Sequence, residues 1–368
     1  MVKSTTLQIF LVVAIVSFFG LLVIHRSLNI GAFSKAGKFI RKSVLADQAQ
    51  EEEVPDSAGV PDDDSESDED SELDGDTEFE VGGNFRPGSD DPAEDTWSNV
   101  RQRLPKALII GFSKCGTTAL RTFLTLHPNI VSPIEEVRYF NFNYTKGLDW
   151  YRRQMPPSTE DQITLEKTPS YIMSPIVLKR IYLFDSRVKL IIIIRDPIVR
   201  LQSQYAHSFR NVPEGARKPD FKIWVKGDSS ENRITHFVGY TKYIRQVYDQ
   251  FPKDQILVLA EEDFEQNPLS VMKEVEEFLG LEPAFSKEMF YFNKEKGFYC
   301  FNREHEFFPT VLKMVKVNSR TGCLGEDKGR DHPDIDEDFH KELVQFIRPH
   351  NEQLFRLIGK RIVWENFE

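Results

Sequence analysis

Apolar residues recur along residues 106–358 in two patterns, short continuous runs and longer helical repeats. Runs rich in β-branched residues predict strands, whereas apolar positions three or four residues apart predict amphipathic helices. The predicted strands are Lys106–Ile110, Gln162–Leu165, Lys189–Ile194 and Gln255–Leu259, and the predicted helices are Thr117–Leu126, Pro175–Phe184, Ile198–Phe209, Ile234–Phe251, Leu269–Leu279 and Glu337–Ile358. Buried strands that alternate with helices indicate an α/β fold, a mostly parallel sheet flanked by helices.

Two of these strands are each followed at once by a polar loop and a predicted helix. The first loop is Gly111-Phe-Ser-Lys-Cys-Gly-Thr-Thr118, and the second begins Arg195-Asp-Pro and extends to Ser203. Such a turn presents backbone N–H groups and the positive end of the helix dipole to an anion. Because parallel strands place their carboxyl ends at one edge of the sheet, the two loops predict a ligand with phosphate at both ends.

The first loop differs from a nucleotide P-loop, in which the lysine follows the last glycine and precedes a residue that binds Mg²⁺. Here Lys114 precedes Gly116. The order Gly-x-x-Lys-x-Gly-Thr-Thr and then Arg-Asp-Pro-x-x-Arg-x-x-Ser-x-Tyr resembles the donor loops of sulfotransferases that use 3′-phosphoadenylyl sulfate (PAPS). The resemblance implies a P-loop-like sulfotransferase fold, with the 5′-phosphosulfate at the first loop and the 3′-phosphate at the second. A P-loop kinase or hydrolase is the alternative enzyme class, with Asp196 as its candidate metal ligand.

Candidate residues for the chemistry lie between the two loops. Sulfuryl transfer to a hydroxyl needs a base, cations at the leaving phosphate and in-line geometry. Glu136 is the candidate base, and Lys114 and Lys167 are the candidate cations. No cysteine and histidine cluster has the spacing of a metal site, so we expect no metal.

Further motifs make the resemblance more specific. They are Glu136-Val-x-Tyr-Phe, Asn143-Tyr-Thr-Lys-Gly-Leu-Asp-Trp-Tyr, Glu166-Lys-Thr-Pro-Ser-Tyr, Lys296-Gly-Phe-Tyr-Cys and Cys323-Leu-Gly-x-x-Lys-Gly-Arg-x-His-Pro. From Lys106 to the carboxy terminus they resemble the heparan sulfate glucosamine 3-O-sulfotransferases. The resemblance implies PAPS as the sulfuryl donor and an anionic glycan, heparan sulfate, as the acceptor.

The same resemblance implies a set of site residues. Glu136 is the base, with Lys114 and Lys167 at the transferring sulfuryl group. The implied donor-binding residues are Lys114, Cys115, Gly116, Thr117, Thr118, Arg195, Ser203, Tyr299, Lys328, Gly329, Arg330, Asp331 and His332, and the acceptor-binding residues are Arg138, Lys167, Ser170 and His207. We expect the acceptor in a basic cleft that Arg138, Lys146, Arg152 and Arg153 border.

Two positions after the base depart from the family pattern. The family usually carries His-Phe-Phe-Asp there, whereas this chain has Arg138-Tyr-Phe-Asn141. A histidine can share a proton with a carboxylate, but a permanently charged guanidinium cannot give up its own. Two alternatives stay open: N-sulfation of glucosamine, since Asn141 resembles the N-sulfotransferase domains, and a catalytically weakened protein that binds glycan and PAPS.

The amino-terminal part has another composition. Leu7–Ile24 is apolar apart from Gln8 and Ser17 and is near the length that spans a bilayer, so it predicts a signal anchor after a cytoplasmic tail of residues 1–6. Residues 51–80 hold 16 Asp and Glu and no Lys or Arg, and we expect residues 25–96 to form a disordered acidic stem. Residues 97–368 would then be the lumenal sulfotransferase domain, on a type II protein of the Golgi membrane.

Charge and cysteines agree with a lumenal enzyme. Without the 16 acids of residues 51–80, the formal net charge of −11 becomes +5, which suits an anionic glycan. In an oxidising lumen we expect a Cys300–Cys323 disulfide, as the family resemblance also implies, and a free Cys115 that fills a loop position. Asn143-Tyr-Thr is the one N-glycosylation sequon. The sequence does not indicate an oligomeric state.

Overall fold

The computed structural model describes residues 99–213, 216–227, 233–315, 317–324 and 332–368. The predicted anchor at residues 7–24, the predicted stem at 25–96 and the predicted donor-binding residues Lys328–Asp331 lie outside this part. Within these ranges, none of the helices combines the length and apolar character needed to cross a bilayer.

A five-stranded parallel sheet forms the centre of the domain, in the order β3-β5-β2-β6-β7. The strands of the described part are β1 (Arg101–Gln102), β2 (Ala107–Gly111), β3 (Ile130–Val131), β4 (Pro157–Ser158), β5 (Ile163–Lys167), β6 (Lys189–Ile194), β7 (Ile256–Ala260), β8 (Phe290–Asn293) and β9 (Phe298–Phe301). Strands β2 and β6 lie side by side, and their aliphatic residues are almost all buried, as expected of strands covered on both faces. The predicted α/β fold is confirmed.

Helices flank this sheet and connect its strands. They are α1 (Thr117–Leu124), α2 (Gly147–Arg153), α3 (Pro175–Phe184), α4 (Pro197–Ser208), α5 (Phe221–Lys226), α6 (Arg233–Val238), α7 (Tyr240–Tyr248), α8 (Glu261–Gln266), α9 (Pro268–Leu279), α10 (Phe308–Met314) and α11 (Glu337–Ile358). Short 3₁₀ turns occur at Tyr144–Lys146, Tyr171–Met173, Lys253–Gln255, Lys287–Met289 and Glu365–Phe367. Helices α1 and α4 follow β2 and β6 directly, so their amino termini lie at the same edge of the sheet.

One predicted helix, Ile234–Phe251, is wrong as a single element. The structure has α6 and α7 there, and they meet at Gly239. A Cβ atom at this glycine would lie 2.5 Å from the carbonyl oxygen of Thr235, so a side chain does not fit the break. Apolar residues continue with helical spacing on both sides of Gly239, which is why the pattern predicted one helix.

A small hairpin of β8 and β9 packs outside the main sheet and was missed from the sequence. Its strands pair antiparallel from Phe290 with Phe301 to Asn293 with Phe298. A disulfide joins Cys300 in β9 to Cys323, which confirms the predicted pair. Cys115 is free and buried, as expected.

Candidate active site

The first anion loop begins where β2 ends and leads into α1. Lys114 and Gly116 both have a positive φ, 66° and 74°, and this backbone turns the chain sharply before Thr117. Gly116 caps α1 without a side-chain hydrogen bond. The first N–H groups of α1 therefore have no side-chain acceptor from the cap, which is the arrangement that binds phosphate at a helix terminus.

The second loop is built differently from the sequence prediction. The side chain of Asp196 accepts hydrogen bonds from the backbone N–H groups of Ile198, at 2.8 Å, and Val199, at 3.5 Å. The amino terminus of α4 is thus already capped by a carboxylate. The expectation of unpaired backbone donors at this loop is wrong, and an anion here depends on side chains such as Arg195.

Three side chains join the two loops. The Tyr240 hydroxyl donates to the carbonyl oxygen of Arg195, at 2.8 Å, and lies 3.6 Å from Sγ of Cys115. Nε of Arg200 donates to the carbonyl oxygen of Ser113, at 3.0 Å. Glu261 is the third, because it pairs with Arg195 of the second loop and lies beside Gly116 of the first. The loops are neighbours, as the parallel pairing of β2 and β6 requires.

Arg200 is a buried cation beneath the first loop, with 1% of its surface exposed. Besides Ser113, its guanidinium donates to the carbonyl oxygen of Phe237. It also lies over the rings of Phe112 and Tyr240, at 4.8 and 5.1 Å from their centroids. Within the described ranges no carboxylate pairs with it, so carbonyl dipoles and aromatic faces stabilise the charge.

Arg195 and Glu261 form an ion pair, with Nε and Oε2 2.5 Å apart. Glu265 approaches the same guanidinium at 3.6 Å. Burial raises the pKa of Glu261 to about 8, although Arg195 acts to lower it. Arg195, the predicted 3′-phosphate contact, is thus paired with two carboxylates.

Glu136, the candidate base, lies between two cations. Its Oε1 forms an ion pair with Nζ of Lys167, and its Oε2 lies 3.5 Å from Nε of Arg138. Nζ of Lys167 also donates to Oγ1 of Thr118 in the first turn of α1, at 3.3 Å. The carboxylate is therefore connected through one lysine to the first anion loop.

A buried hydrogen-bond network supports the segment that carries Glu136. Oγ1 of Thr168 donates to Glu166, at 2.5 Å, and accepts from the backbone N–H of Arg138, at 3.2 Å. The Tyr151 hydroxyl donates to the other carboxyl oxygen of Glu166, at 3.3 Å. Burial raises the pKa of Glu166 to about 7. Arg138 has a positive φ of 52°, so this bond to its N–H fixes a backbone conformation that non-glycine residues seldom adopt.

The predicted acceptor residues lie on two separate elements. Nδ2 of Asn141 donates to Oγ of Ser170, at 3.1 Å, which holds the Arg138 segment against the turn after β5. His207 lies in the last turn of α4, and its Nε2 is 3.1 Å from Nη1 of Arg210. Lys146, Arg152 and Arg153 are exposed on and beside α2.

The remaining predicted residues are placed as follows. Ser203 lies on α4, Tyr299 on β9 and His332 at an exposed position before α11. Nδ2 of Asn143 donates to the carbonyl oxygen of Val137, at 2.9 Å, and its glycosylation stays a prediction. Among the described residues, no group of three or more histidine, cysteine or acidic side chains could hold a metal ion.

Four buried charged residues near the loops were given no role from the sequence: Glu166, Arg200, Glu261 and Arg121. Arg121 lies on α1, and burial lowers its pKa while Glu135 and Glu136 act to raise it. Its Nε and Nη1 atoms have no hydrogen-bond partner in the described part of the chain. Two of them had a usable signal: Glu166 precedes the candidate Lys167, and Arg200 is the second arginine of the Arg-Asp-Pro-x-x-Arg motif.

In a comparison with known protein families, residues 104–357 match the model of the sulfotransferase domain. The chain is 35% identical over 284 residues to human heparan sulfate glucosamine 3-O-sulfotransferase 3B1, covering 76% of this chain and 70% of that protein. It is 33% identical over 293 residues to mouse heparan sulfate glucosamine 3-O-sulfotransferase 5, covering 76% and 80%. Its fold is similar to a sulfotransferase from Alicyclobacillus acidocaldarius, with a TM-score of 0.51, 19% identity and coverage of 71% of this chain and 98% of that one.

Proposed function

The chain belongs to the sulfotransferase domain family, among the heparan sulfate glucosamine 3-O-sulfotransferases, and we propose that it transfers a sulfuryl group from PAPS to the 3-hydroxyl of a glucosamine in heparan sulfate. The link from Glu136 through Lys167 to Thr118 supports this proposal most directly. It places a carboxylate beside a loop suited to phosphate, and a base beside a bound donor is what transfer to a hydroxyl requires.

The reaction is a direct displacement at sulfur. The acceptor hydroxyl attacks the sulfur atom, and its proton passes to the carboxylate of Glu136. The bond from sulfur to the bridging oxygen of the 5′-phosphate breaks, and its electron pair stays on that oxygen. Lys114 and Lys167 stabilise this charge, which is greater in the transition state than in bound PAPS.

The donor would lie across the carboxyl ends of β2 and β6. The uncapped amino terminus of α1 suits its 5′-phosphosulfate, and Arg195 with Ser203 suits its 3′-phosphate. Tyr299, Lys328–Asp331 and His332 complete this proposed donor site. No step of the displacement needs a metal ion, because lysines and backbone dipoles neutralise the phosphosulfate.

The acceptor would enter from the side of Arg138, Ser170 and His207. Arg138 lies 3.5 Å from Glu136, so a sulfate or carboxylate bound to this guanidinium lies near the reacting hydroxyl. We further propose a type II protein of the Golgi membrane, with an anchor at Leu7–Ile24 and a lumenal catalytic domain. The length and apolarity of that segment support the anchor.

The test is product analysis with the full-length protein. We expect sulfur-35 from labelled PAPS to enter heparan sulfate without Mg²⁺, and disaccharide analysis to find the label at the 3-oxygen of glucosamine. Label on the glucosamine nitrogen would replace this proposal with N-sulfation. Nucleotide binding without transfer would indicate an inactive binder, and Mg²⁺-dependent use of ATP would indicate a kinase. Glu136→Gln is the matched inactive control.

A further inference from the structure

Glu261 lies between the two loops that the donor would occupy. It is the first residue of α8, directly after β7. Its Oε2 is 2.5 Å from Nε of Arg195, and a Cβ atom at Gly116 would lie 3.0 Å from its Oε1. One carboxylate therefore touches both the second loop and the first.

This carboxylate forms an ion pair with the Arg195 guanidinium, to which a 3′-phosphate would bind. The side chain of Arg195 is 18% exposed and that of Glu261 9%, so the pair is largely shielded from water. Oε2 of Glu261 is buried, and no aligned hydrogen bond within the described ranges holds it. The contact is a close ion pair, and an anion that displaces Glu261 from Arg195 leaves this carboxylate buried without its cation.

The surroundings of Glu261 favour its neutral form. Burial is the largest influence and raises the pKa of this carboxyl to about 8; Glu265 and Glu262, both on α8, also raise it, and Arg195 from the end of β6 opposes them. In the first loop, burial raises the pKa of the Cys115 thiol to about 11, and the charge of Glu261 also acts to raise it. A bound nucleotide would add more negative charge and engage Arg195, and both changes favour protonation further.

We propose that Glu261 determines the affinity of the donor site by competing with the 3′-phosphate for Arg195. In the nucleotide-free protein at alkaline pH the Glu261 carboxylate pairs with Arg195. When the 3′-phosphate takes its place, Glu261 takes up one proton from solvent, and release of the desulfated nucleotide returns that proton and restores the ion pair. This inference rests on the proposed function, because it requires the donor to lie between the two loops.

The test is calorimetric titration of the full-length protein with adenosine 3′,5′-bisphosphate in two buffers of different ionisation enthalpy. At about pH 9 the ligand phosphates, with second pKa values of about 6, are ionised. The Cys115 thiol, with a pKa of about 11, is still protonated. We therefore expect wild type to take up most of one proton and Glu261→Gln to take up much less.

The affinities should change in parallel. A single linked proton changes affinity by at most about tenfold per pH unit, so Glu261→Gln should bind about tenfold tighter than wild type at pH 9. At about pH 6.5, where Glu261 is already protonated, the two proteins should bind equally. Thermal unfolding by circular dichroism verifies that the variants are folded.

Glu265→Gln is the matched control. Glu265 lies 3.6 Å from Arg195 with its side chain half exposed. Its replacement by glutamine should leave the proton uptake unchanged. Equal uptake by wild type and Glu261→Gln would overturn the inference, as would loss of uptake in Glu265→Gln. Weaker binding by Glu261→Gln at both pH values would also overturn it, since Glu261 would then support Arg195. Failure of wild type to bind at pH 6.5 would instead contradict the proposed function.

Discussion

Oε1 of Glu136 forms an ion pair with Nζ of Lys167, the last residue of β5. The pair fixes the carboxylate at the edge of the sheet where the first anion loop begins, because β5 is the direct neighbour of β2. A base held by a strand residue is more rigid than one held by its own loop alone.

Glu136→Gln should lower the transfer rate by at least about a hundredfold, since general-base catalysis contributes about 10²–10⁴-fold. The amide keeps the size of the side chain and cannot accept the proton. Binding of adenosine 3′,5′-bisphosphate should be unchanged, as measured by calorimetry. Loss of nucleotide binding in this variant would show that Glu136 supports the fold of the loop instead.

Arg138→Gln should raise the KM for heparan sulfate by about tenfold and leave kcat undiminished. The side chain is 23% exposed beside Glu136, and its guanidinium would pair with an anionic group of the acceptor; such charged contacts contribute about 1.5–3 kcal/mol each. Initial rates over a range of acceptor concentrations separate the two parameters. A fall in kcat at constant KM would place Arg138 in the chemical step.

Arg200→Met should weaken binding of adenosine 3′,5′-bisphosphate by about ten- to a hundredfold, the range for losing a charged hydrogen bond. The bond from Arg200 to the carbonyl oxygen of Ser113 holds the first loop, which would contact the 5′-phosphate. Adenosine 3′-phosphate lacks that group, so its affinity should change little. An equal loss for both nucleotides, or no loss in the folded variant, would contradict this role, and Arg200→Lys tests whether charge alone suffices.

Glu166 should make the protein less stable as the pH rises. Its pKa is about 7 in the folded state against 4.5 for the free side chain, so the unfolded chain loses this proton first. Stability therefore falls between about pH 4.5 and 7, by at most about 3 kcal/mol from this group. Urea unfolding at several pH values should show the fall in wild type, and a smaller one in Glu166→Gln. If the unfolding free energies of wild type and Glu166→Gln change equally with pH, ionising Glu166 in the folded protein costs little free energy.

Replacing Cys300 and Cys323 together with serine should lower the free energy of unfolding by about 2–4 kcal/mol, because the disulfide closes a chain segment between residues 23 apart. Reduced wild type should unfold at the same urea concentration as the double variant. Iodoacetamide should label no thiol in the folded oxidised protein, since Cys115 is buried and its pKa is raised to about 11. Unfolding should expose one reactive thiol, that of Cys115.

Regular elements were largely predictable from the sequence. The strand Lys189–Ile194 was predicted with its observed bounds, because four consecutive isoleucines before Arg195 and Pro197 allow few other structures. The break at Gly239 was not predictable, since it depends on the contact of two helices and the apolar spacing hides it. Short helices such as Gly147–Arg153 carry too few turns for their period to be recognised.

The site was predictable where a residue belongs to a motif, and less so where burial gives it a role. Glu136, Lys167 and Thr118 were expected together, and they are in contact. Arg200 was part of the Arg-Asp-Pro-x-x-Arg motif but was given no role of its own, and Glu261 belonged to no motif and no predicted helix. Tertiary packing buries both residues. Arg200 contacts Ser113, 87 residues earlier in the chain, and Glu261 contacts Arg195, 66 residues earlier.

The strand order also determines when the site can form during synthesis. Strand β2 leaves the ribosome early, yet its neighbours β5 and β6 begin only at Ile163 and Lys189, and Glu261 follows β7, the last strand of the five-stranded sheet. The residues that contact the first loop are therefore absent until most of the domain has been translated. Long-range pairing of this kind slows folding, so a nascent chain halted before Ile256 lacks the contact of Glu261 with Arg195 and should depend on chaperones.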